Sequence, residues 1–171
     1  SDVYKRQGGV YLPLNTGYTP AELDYFLGDA KPRIVVTSNA AAEAITPIAA
    51  RIGAVLMTLD SDESGSLAEA AIQHEGPFTA VPRGSEDLAA ILYTSGTTGR
   101  SKGAKLCHRN LRSNAEVLRE YWRFTADDTL LHMLPIYHTH GLFVAGNLLA
   151  MVGGSMTVSY THLTLPTIGC V

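Results

Sequence analysis

The sequence has few cysteines and no marked excess of charge. Its 171 residues include two cysteines, Cys107 and Cys170, too few for a disulfide framework or a four-cysteine zinc site. The formal net charge is −3, and the basic face typical of nucleic-acid-binding proteins is missing. We therefore expect no nucleic-acid partner and a reduced, cytoplasmic protein, with a homologue in the mitochondrial matrix as the alternative.

Long apolar runs are also lacking. A membrane-spanning helix needs about 20 consecutive apolar residues, and the longest candidate, residues 141–154, is shorter and contains Asn147. Hydrophobic residues still make up 46% of the chain and charged residues 17%, which is typical of globular domains. We expect a globular domain without a membrane span.

Strand and helix patterns alternate along the chain. Thr19, Pro20 and Glu22 have the spacing of a capping box with proline at the first helical position, and Ser66 and Glu69 have the spacing of a second capping box. The predicted strands cover residues 9–14, 33–37, 54–59, 88–93 and 129–131, and the predicted helices cover residues 20–30, 40–52, 66–73 and 109–122. This alternation predicts an α/β fold with a largely parallel sheet and flanking helices.

Three details of this pattern carry further expectations. Pro47 lies inside the second predicted helix and should kink or split it. The strand at residues 54–59 has almost no polar alternation, which is typical of strands covered on both faces. In the helix at residues 109–122, the apolar stripe indicates core packing.

A loop rich in hydroxyls and glycines follows the strand at residues 88–93. Residues 94–103 contain five Ser or Thr, three Gly, one Arg and one Lys. Glycines let a ligand approach the backbone closely, and successive N–H groups in such turns bind anions. The spacing differs from a Walker P-loop, because Gly does not precede Lys102 and Ser or Thr does not follow it. It also differs from a nucleophile elbow, because Tyr93 stands at the first glycine position. The loop therefore indicates a polyphosphate site, with a flexible polar surface loop as the alternative.

Residues 93–103, read as Tyr-Thr-Ser-Gly-Thr-Thr-Gly-x-x-Lys-Gly, resemble the phosphate-loop signature of adenylate-forming (AMP-binding) enzymes. Ser101 departs from the signature, since most members have Pro there. Residues 8–25 resemble the family's early strand–helix unit, and residues 133–142 resemble its next motif, in the form seen in malonyl-CoA synthetases.

The resemblance implies the large N-terminal domain of an acyl-CoA synthetase and the role of the loop. In the family this loop folds over the β- and γ-phosphates of ATP. The implied ATP-binding residues are Thr94, Ser95, Gly96, Thr97, Thr98, Gly99 and Lys102. ATP, Mg²⁺ and coenzyme A, the last as co-substrate, are the implied small-molecule partners.

Two histidines and a glycine follow in the next motif. His138 and His140 are two residues apart after a predicted strand, so a metal pair and a purely structural turn are alternatives to a binding role. By the resemblance, His138, His140 and Gly141 lie beside the acyl and adenylate pocket. We expect no metal site there, and we interpret His74 and His132 as structural or surface residues.

The implied function is ATP-dependent ligation of a carboxylic acid, malonate or a similar small dicarboxylate, to coenzyme A. Alternatives are a medium-chain or aromatic acyl-CoA synthetase, a non-catalytic nucleotide-phosphate binding module and an amidase-like hydrolase. The family's later motifs and its catalytic lysine have no counterpart in the sequence. We therefore expect residues 8–158 to form part of the domain, residues 1–7 and 159–171 to be non-native tails, and this segment to be inactive and poorly stable by itself.

Overall fold

The computed structural model describes residues 8–74, 76, 79–94 and 101–159. They form two compact units. The first unit contains residues 14–81 and 93–103, and the second contains the described residues of 1–13, 82–92 and 104–171. Of the predicted tails at 1–7 and 159–171, all residues but Ser159 lie outside the described residues. The Ser159 amide donates to the His132 carbonyl at 3.0 Å, and the prediction of non-native tails stays open.

The first unit opens with helix α1 (Pro20–Ala30). The predicted capping box is present, since Thr19 Oγ1 accepts a hydrogen bond from the Glu22 amide and Glu22 Oε2 accepts one from the Thr19 amide at 2.8 Å. Hydrogen bonds from the Thr19 backbone and then its side chain lower the pKa of Glu22. The helix ends at Lys31, whose φ of 46° is left-handed, directly before Pro32.

A βαβ unit follows, made of β1 (Ile34–Thr37), α2 (Asn39–Ile52) and β2 (Val55–Thr58). The strands pair in parallel with Ile34 opposite Val55, as the alternation predicts. Helix α2 remains one helix through Pro47, so of the two expected outcomes, a kink or a split, the split is not observed. Its core-facing residues Ile45, Ile48 and Ala49 are buried, and this packing holds the helix together despite the missing proline N–H.

The core of the first unit is formed by Leu27, Val35, Ile45 and Ile48. Coverage of both faces of the strand pair, however, is not observed. Ile34 is 53% exposed and Val55 58% exposed, so the described elements cover one face and leave the opposite one open.

Helix α3 (Ser66–Ile72) begins differently from the prediction. Gly65 is its N-cap, and Ser66 is the first helical residue. The Ser66 hydroxyl instead accepts a hydrogen bond from the Thr58 amide at 2.9 Å, while the Ser66 amide donates to Thr58 Oγ1 at 3.1 Å. The capping box at Ser66 was therefore wrong, because a tertiary partner competes for the same hydroxyl.

Strand β3 (Leu88–Thr94) pairs with β4 (Lys102–Cys107), which leads into α4 (His108–Trp122). The second unit's core contains Ala89, Ala90, Leu92, Leu111 and Phe143. Leu111 and Ala115 of α4 are buried as predicted, but Trp122 is 51% exposed.

The strand predicted at residues 9–14 is reduced to one parallel bridge between Tyr11 and Ala90. The Tyr11 amide donates to the Ala89 carbonyl and its carbonyl accepts from the Ile91 amide, both at 3.0 Å. Pro13 has no N–H to extend this ladder, which explains the short pairing.

The second unit ends with β5 (Thr129–His132), a π-helix (His140–Gly146), α5 (Asn147–Val152) and β6 (Ser155–Val158). Strands β5 and β6 pair in parallel, with Thr129 opposite Ser155. The predicted α/β class with parallel pairing is confirmed, although the described strands form three pairs. None of the described helices has the length and apolar character needed to cross a bilayer.

Candidate functional site

The stems of the hydroxyl-rich loop are Thr94, the last residue of β3, and Lys102, the first residue of β4. Both side chains are exposed. Because residues 95–101 are too short a connection for a parallel crossover, the paired strands form a hairpin with both stems at one end. The other predicted phosphate-binding residues, Ser95, Gly96, Thr97, Thr98 and Gly99, lie outside the described residues.

The strand side of the loop is attached to helix α1 through Tyr93. The Tyr93 ring contacts the Phe26 ring with centroids 4.6 Å apart, and the Tyr93 hydroxyl donates a hydrogen bond to Asp29 Oδ2 at 2.5 Å. Burial raises the pKa of Tyr93 above its ordinary value, and the hydrogen bond and charge of Asp29 and the nearby Tyr25 raise it further. The phenol therefore stays protonated and continues to donate.

The other side of the loop is attached to the same helix. The Tyr25 hydroxyl donates to the backbone carbonyl of Ser101 at 2.9 Å, in a partly buried position. The Tyr25 and Tyr93 rings are also in edge contact, with centroids 6.4 Å apart.

The contacts of Tyr25 and Asp29 with the two ends of the loop were not predicted from the sequence. One signal was available, because residues four apart lie on the same face of a helix. Tyr25 and Asp29 have this spacing within α1. What they face depends on tertiary structure, which the spacing does not give.

The predicted histidine segment belongs to the second unit. His138 lies in a turn after Pro135, with its amide donating to the Pro135 carbonyl at 3.1 Å, and His140 begins the π-helix. Both side chains are exposed. The strand geometry that would place them on one face is therefore not observed, and the described residues contain no cluster of three potential metal ligands.

Gly141 is buried and packed against backbone. A Cβ at this position would lie 2.3 Å from the Pro135 carbonyl oxygen and 3.1 Å from that of Leu134. This geometry indicates close packing of Gly141 against the turn at Leu134 and Pro135.

His132 is the buried polar residue of the second unit, at 3% exposure. Its Nε2 lies 2.8 Å from the Gly141 carbonyl oxygen. A carbonyl only accepts hydrogen bonds, so Nε2 carries the proton. Nδ1 has no hydrogen-bond partner among the described residues. The structural interpretation of His132 is thus confirmed, and the surface interpretation is wrong.

A cleft of about 470 Å³ lies at the start of α4 and contains none of the predicted site residues. Two of its arginines are already paired, Arg109 with Glu86 at 2.8 Å and Arg112 with Glu116 at 2.7 Å. Glu86 and Glu116 thus offset two of the three arginines that line the cleft.

The matching family model and the similar curated proteins agree with one another. Residues 5–168 match the family model described as AMP-binding enzyme. The mitochondrial malonate–CoA ligase ACSF3 of Mus musculus is 37% identical over 136 residues, which cover 79% of this chain and 23% of that protein. The malonate–CoA ligase of Arabidopsis thaliana is 36% identical over 146 residues, covering 81% of this chain and 23% of that protein.

A solved structure shares the fold. The crystal structure of ATP-bound MatB from Rhodopseudomonas palustris superposes with a TM-score of 0.87 at 58% identity, covering 91% of this chain and 31% of that one. The chain thus spans between about a quarter and a third of the length of these relatives. The match at residues 5–168 extends past the predicted boundaries at 8 and 158.

Proposed function

This chain belongs to the AMP-binding enzymes, and from that premise we propose that the full-length protein is an ATP-dependent acid–CoA ligase. Its preferred acid is malonate or a similar small dicarboxylate. The observation that carries the proposal is the hairpin in which exposed Thr94 and Lys102 flank a loop with the family's phosphate-binding signature. The malonate–CoA ligases among the relatives support the choice of acid.

In this proposal the loop binds the β- and γ-phosphates of ATP. Lys102 supplies a positive charge, and Thr94, Ser95, Thr97 and Thr98 supply hydroxyl donors. Gly96 and Gly99 allow the backbone amides to approach the phosphates. ATP enters as its Mg²⁺ complex, and the similar MatB structure holds ATP.

The reaction has two steps. A carboxylate oxygen of the acid attacks the α-phosphorus, and the bond to the β-phosphate oxygen breaks, so pyrophosphate leaves and an acyl-adenylate forms. The thiolate of coenzyme A then attacks the acyl carbonyl, a thioester forms and AMP leaves. The loop's contribution is to orient ATP and to neutralise charge on the leaving pyrophosphate.

His138, His140 and Gly141 are proposed to border the acyl pocket. Two exposed imidazoles, one in the turn after Pro135 and one at the start of the π-helix, supply hydrogen-bond donors that a second carboxylate uses and a long alkyl chain does not. This difference favours a small dicarboxylate over medium-chain or aromatic acids.

The test is pyrophosphate release by the full-length protein with malonate, acetate and a long-chain acid, in the presence of coenzyme A. We expect the highest kcat/KM with malonate. Activity with long chains alone would contradict the dicarboxylate assignment. ATP binding without pyrophosphate release from any acid would favour a non-catalytic nucleotide-binding module instead.

Lys102→Ala separates the loop's role from general effects of charge. Removing a charge-assisted contact of about 1.5–3 kcal/mol should raise the KM for ATP by about 10-fold or more, and Thr97→Ala should raise it less. Lys105→Ala is the matched control, because Lys105 is also exposed and lies on the same strand. Unchanged ATP kinetics in both loop variants would remove the phosphate role.

A further inference from the structure

We propose that helix α1 is a positioning platform for the phosphate loop, with Tyr25 and Asp29 as positioning residues that hold its two stems. The inference rests on the proposed binding of ATP by this loop. It concerns residues outside the loop signature, on a helix that precedes the loop by more than sixty positions in the chain, the separation of Asp29 and Tyr93 being 64.

The residue before each stem contacts the helix. On the strand side, Tyr93 packs on Phe26 and donates to Asp29. On the far side, the Ser101 carbonyl accepts from the Tyr25 hydroxyl at 2.9 Å. One face of α1 therefore fixes both the residue before Thr94 and the residue before Lys102.

The platform itself is firmly held. Leu27 is 3% exposed and belongs to the first unit's core, and Phe26 is 4% exposed and packs against the Tyr25 and Tyr93 rings. The Phe26 ring also contacts Tyr18 with centroids 5.0 Å apart. On the exposed side, Arg51 of α2 pairs with Asp24 of α1. A loop mounted on such an element keeps less conformational freedom to lose when ATP binds.

These two contacts use groups other than the amides and hydroxyls that we propose bind phosphate. Both stem contacts use tyrosine hydroxyls as donors, one to a carboxylate and one to a main-chain carbonyl. They take up none of the loop amides or threonine hydroxyls that phosphates need. The acceptor at position 101 is a carbonyl, so Ser serves there as well as the family's usual Pro.

The experiment compares Tyr25→Phe and Tyr93→Phe in the full-length protein with Tyr121→Phe as the matched control. Each substitution removes one hydroxyl, and Tyr121 is 84% exposed on α4. We expect each platform variant to raise the KM for ATP about 3- to 10-fold, as loss of one hydrogen bond implies, with the KM for the acid unchanged. The control should leave both constants unchanged.

Two further measurements separate positioning from general destabilisation. Asp29→Asn keeps an acceptor for Tyr93 and should retain a lower KM for ATP than Asp29→Ala. Hydrogen exchange of the amides at residues 101–103 should be faster in Tyr25→Phe than in the control. Equal KM for ATP in Tyr25→Phe and wild type, or an equal rise for ATP and acid, would overturn the inference.

Failure of the proposed function gives a different result. In that case the wild-type protein releases no pyrophosphate with any acid. Hydrogen exchange then becomes the only test of whether helix α1 holds the ends of the loop. Faster exchange at residues 101–103 in Tyr25→Phe then supports the attachment of the stem, and exchange equal to the control overturns it.

Discussion

Gly141 leaves no space for a side chain at the start of the π-helix. Gly141→Ala would place a methyl group 2.3 Å from the backbone oxygen of Pro135, which a rotamer change cannot relieve. We expect a loss of about 1–3 kcal/mol in the free energy of unfolding and a higher KM for the acid, because the turn carrying His138 must move. Thermal unfolding and acid kinetics of the full-length protein measure both.

Gly146→Ala is the control for that substitution. Its added Cβ would lie 3.5 Å from the Gly141 carbonyl oxygen, an ordinary contact at the other end of the same π-helix. Its stability and acid kinetics should stay near wild type. A Gly141→Ala protein as stable and active as Gly146→Ala would refute the steric argument.

At this scale, local hydrogen bonds could be predicted and long-range ones could not. The capping box at Thr19 follows from residues three apart, so the sequence suffices. Ser66 has the same spacing to Glu69, but Thr58 competes for its hydroxyl. The bond between His132 and Gly141 likewise depends on how the chain turns after β5.

Helix α2 contains a proline that contributes no hydrogen bond. Pro47 is exposed and lies in the helix interior, so its ring nitrogen cannot donate to the Glu43 carbonyl. Pro47→Ala restores that donor without removing core contacts, although the unfolded chain gains freedom. We expect a net stabilisation of about 1–2 kcal/mol, measured by denaturant unfolding.

Pro20→Ala provides the comparison for α2. Pro20 occupies the first position of α1, where the N–H would have no helical partner. This substitution should leave stability unchanged or slightly lower. If Pro47→Ala also fails to stabilise the protein, the surrounding helix has already compensated for the missing donor.

Elements with strong periodicity or clear end signals were predictable, and irregular ones were not. Helix α1 follows from its capping box, α4 follows from its apolar stripe, and α2 ends at Gly53, a glycine with a left-handed φ of 72°. The π-helix at His140–Gly146 was not predictable, because the apolar pattern of its sequence does not distinguish a π-helix from an α-helix. The prediction of a full strand at residues 9–14 was wrong. The apolar residues have the strand pattern, but Pro13 has no N–H and limits the pairing to one bridge.

The whole chain exposes apolar strand residues on several elements. Ile34 is 53% exposed, Val55 58% and Leu131 60%, although their strands have the composition of buried ones. We expect the 171-residue chain to bind a hydrophobic dye and to self-associate more than the full-length protein. Size-exclusion chromatography and dye fluorescence test this, and a monomeric, dye-negative chain would contradict it.

The parallel α/β class could be predicted at this scale because strand and helix alternate in sequence. Burial of individual strand faces could not. A continuous apolar strand such as β2 indicates two covering layers, but the pattern does not specify which residues form those layers. The described elements supply one layer, through Ile45 and Ile48 of α2.

The division into units has a consequence for exchanging parts between related enzymes. Residues 93–103 belong with residues 14–81, although residues 82–92 separate them in the chain. A graft limited to the loop would arrive without the tyrosine and aspartate that support it in its parent. Recombination junctions placed before residue 14 and after residue 103 would transfer the loop together with the helix that contacts it.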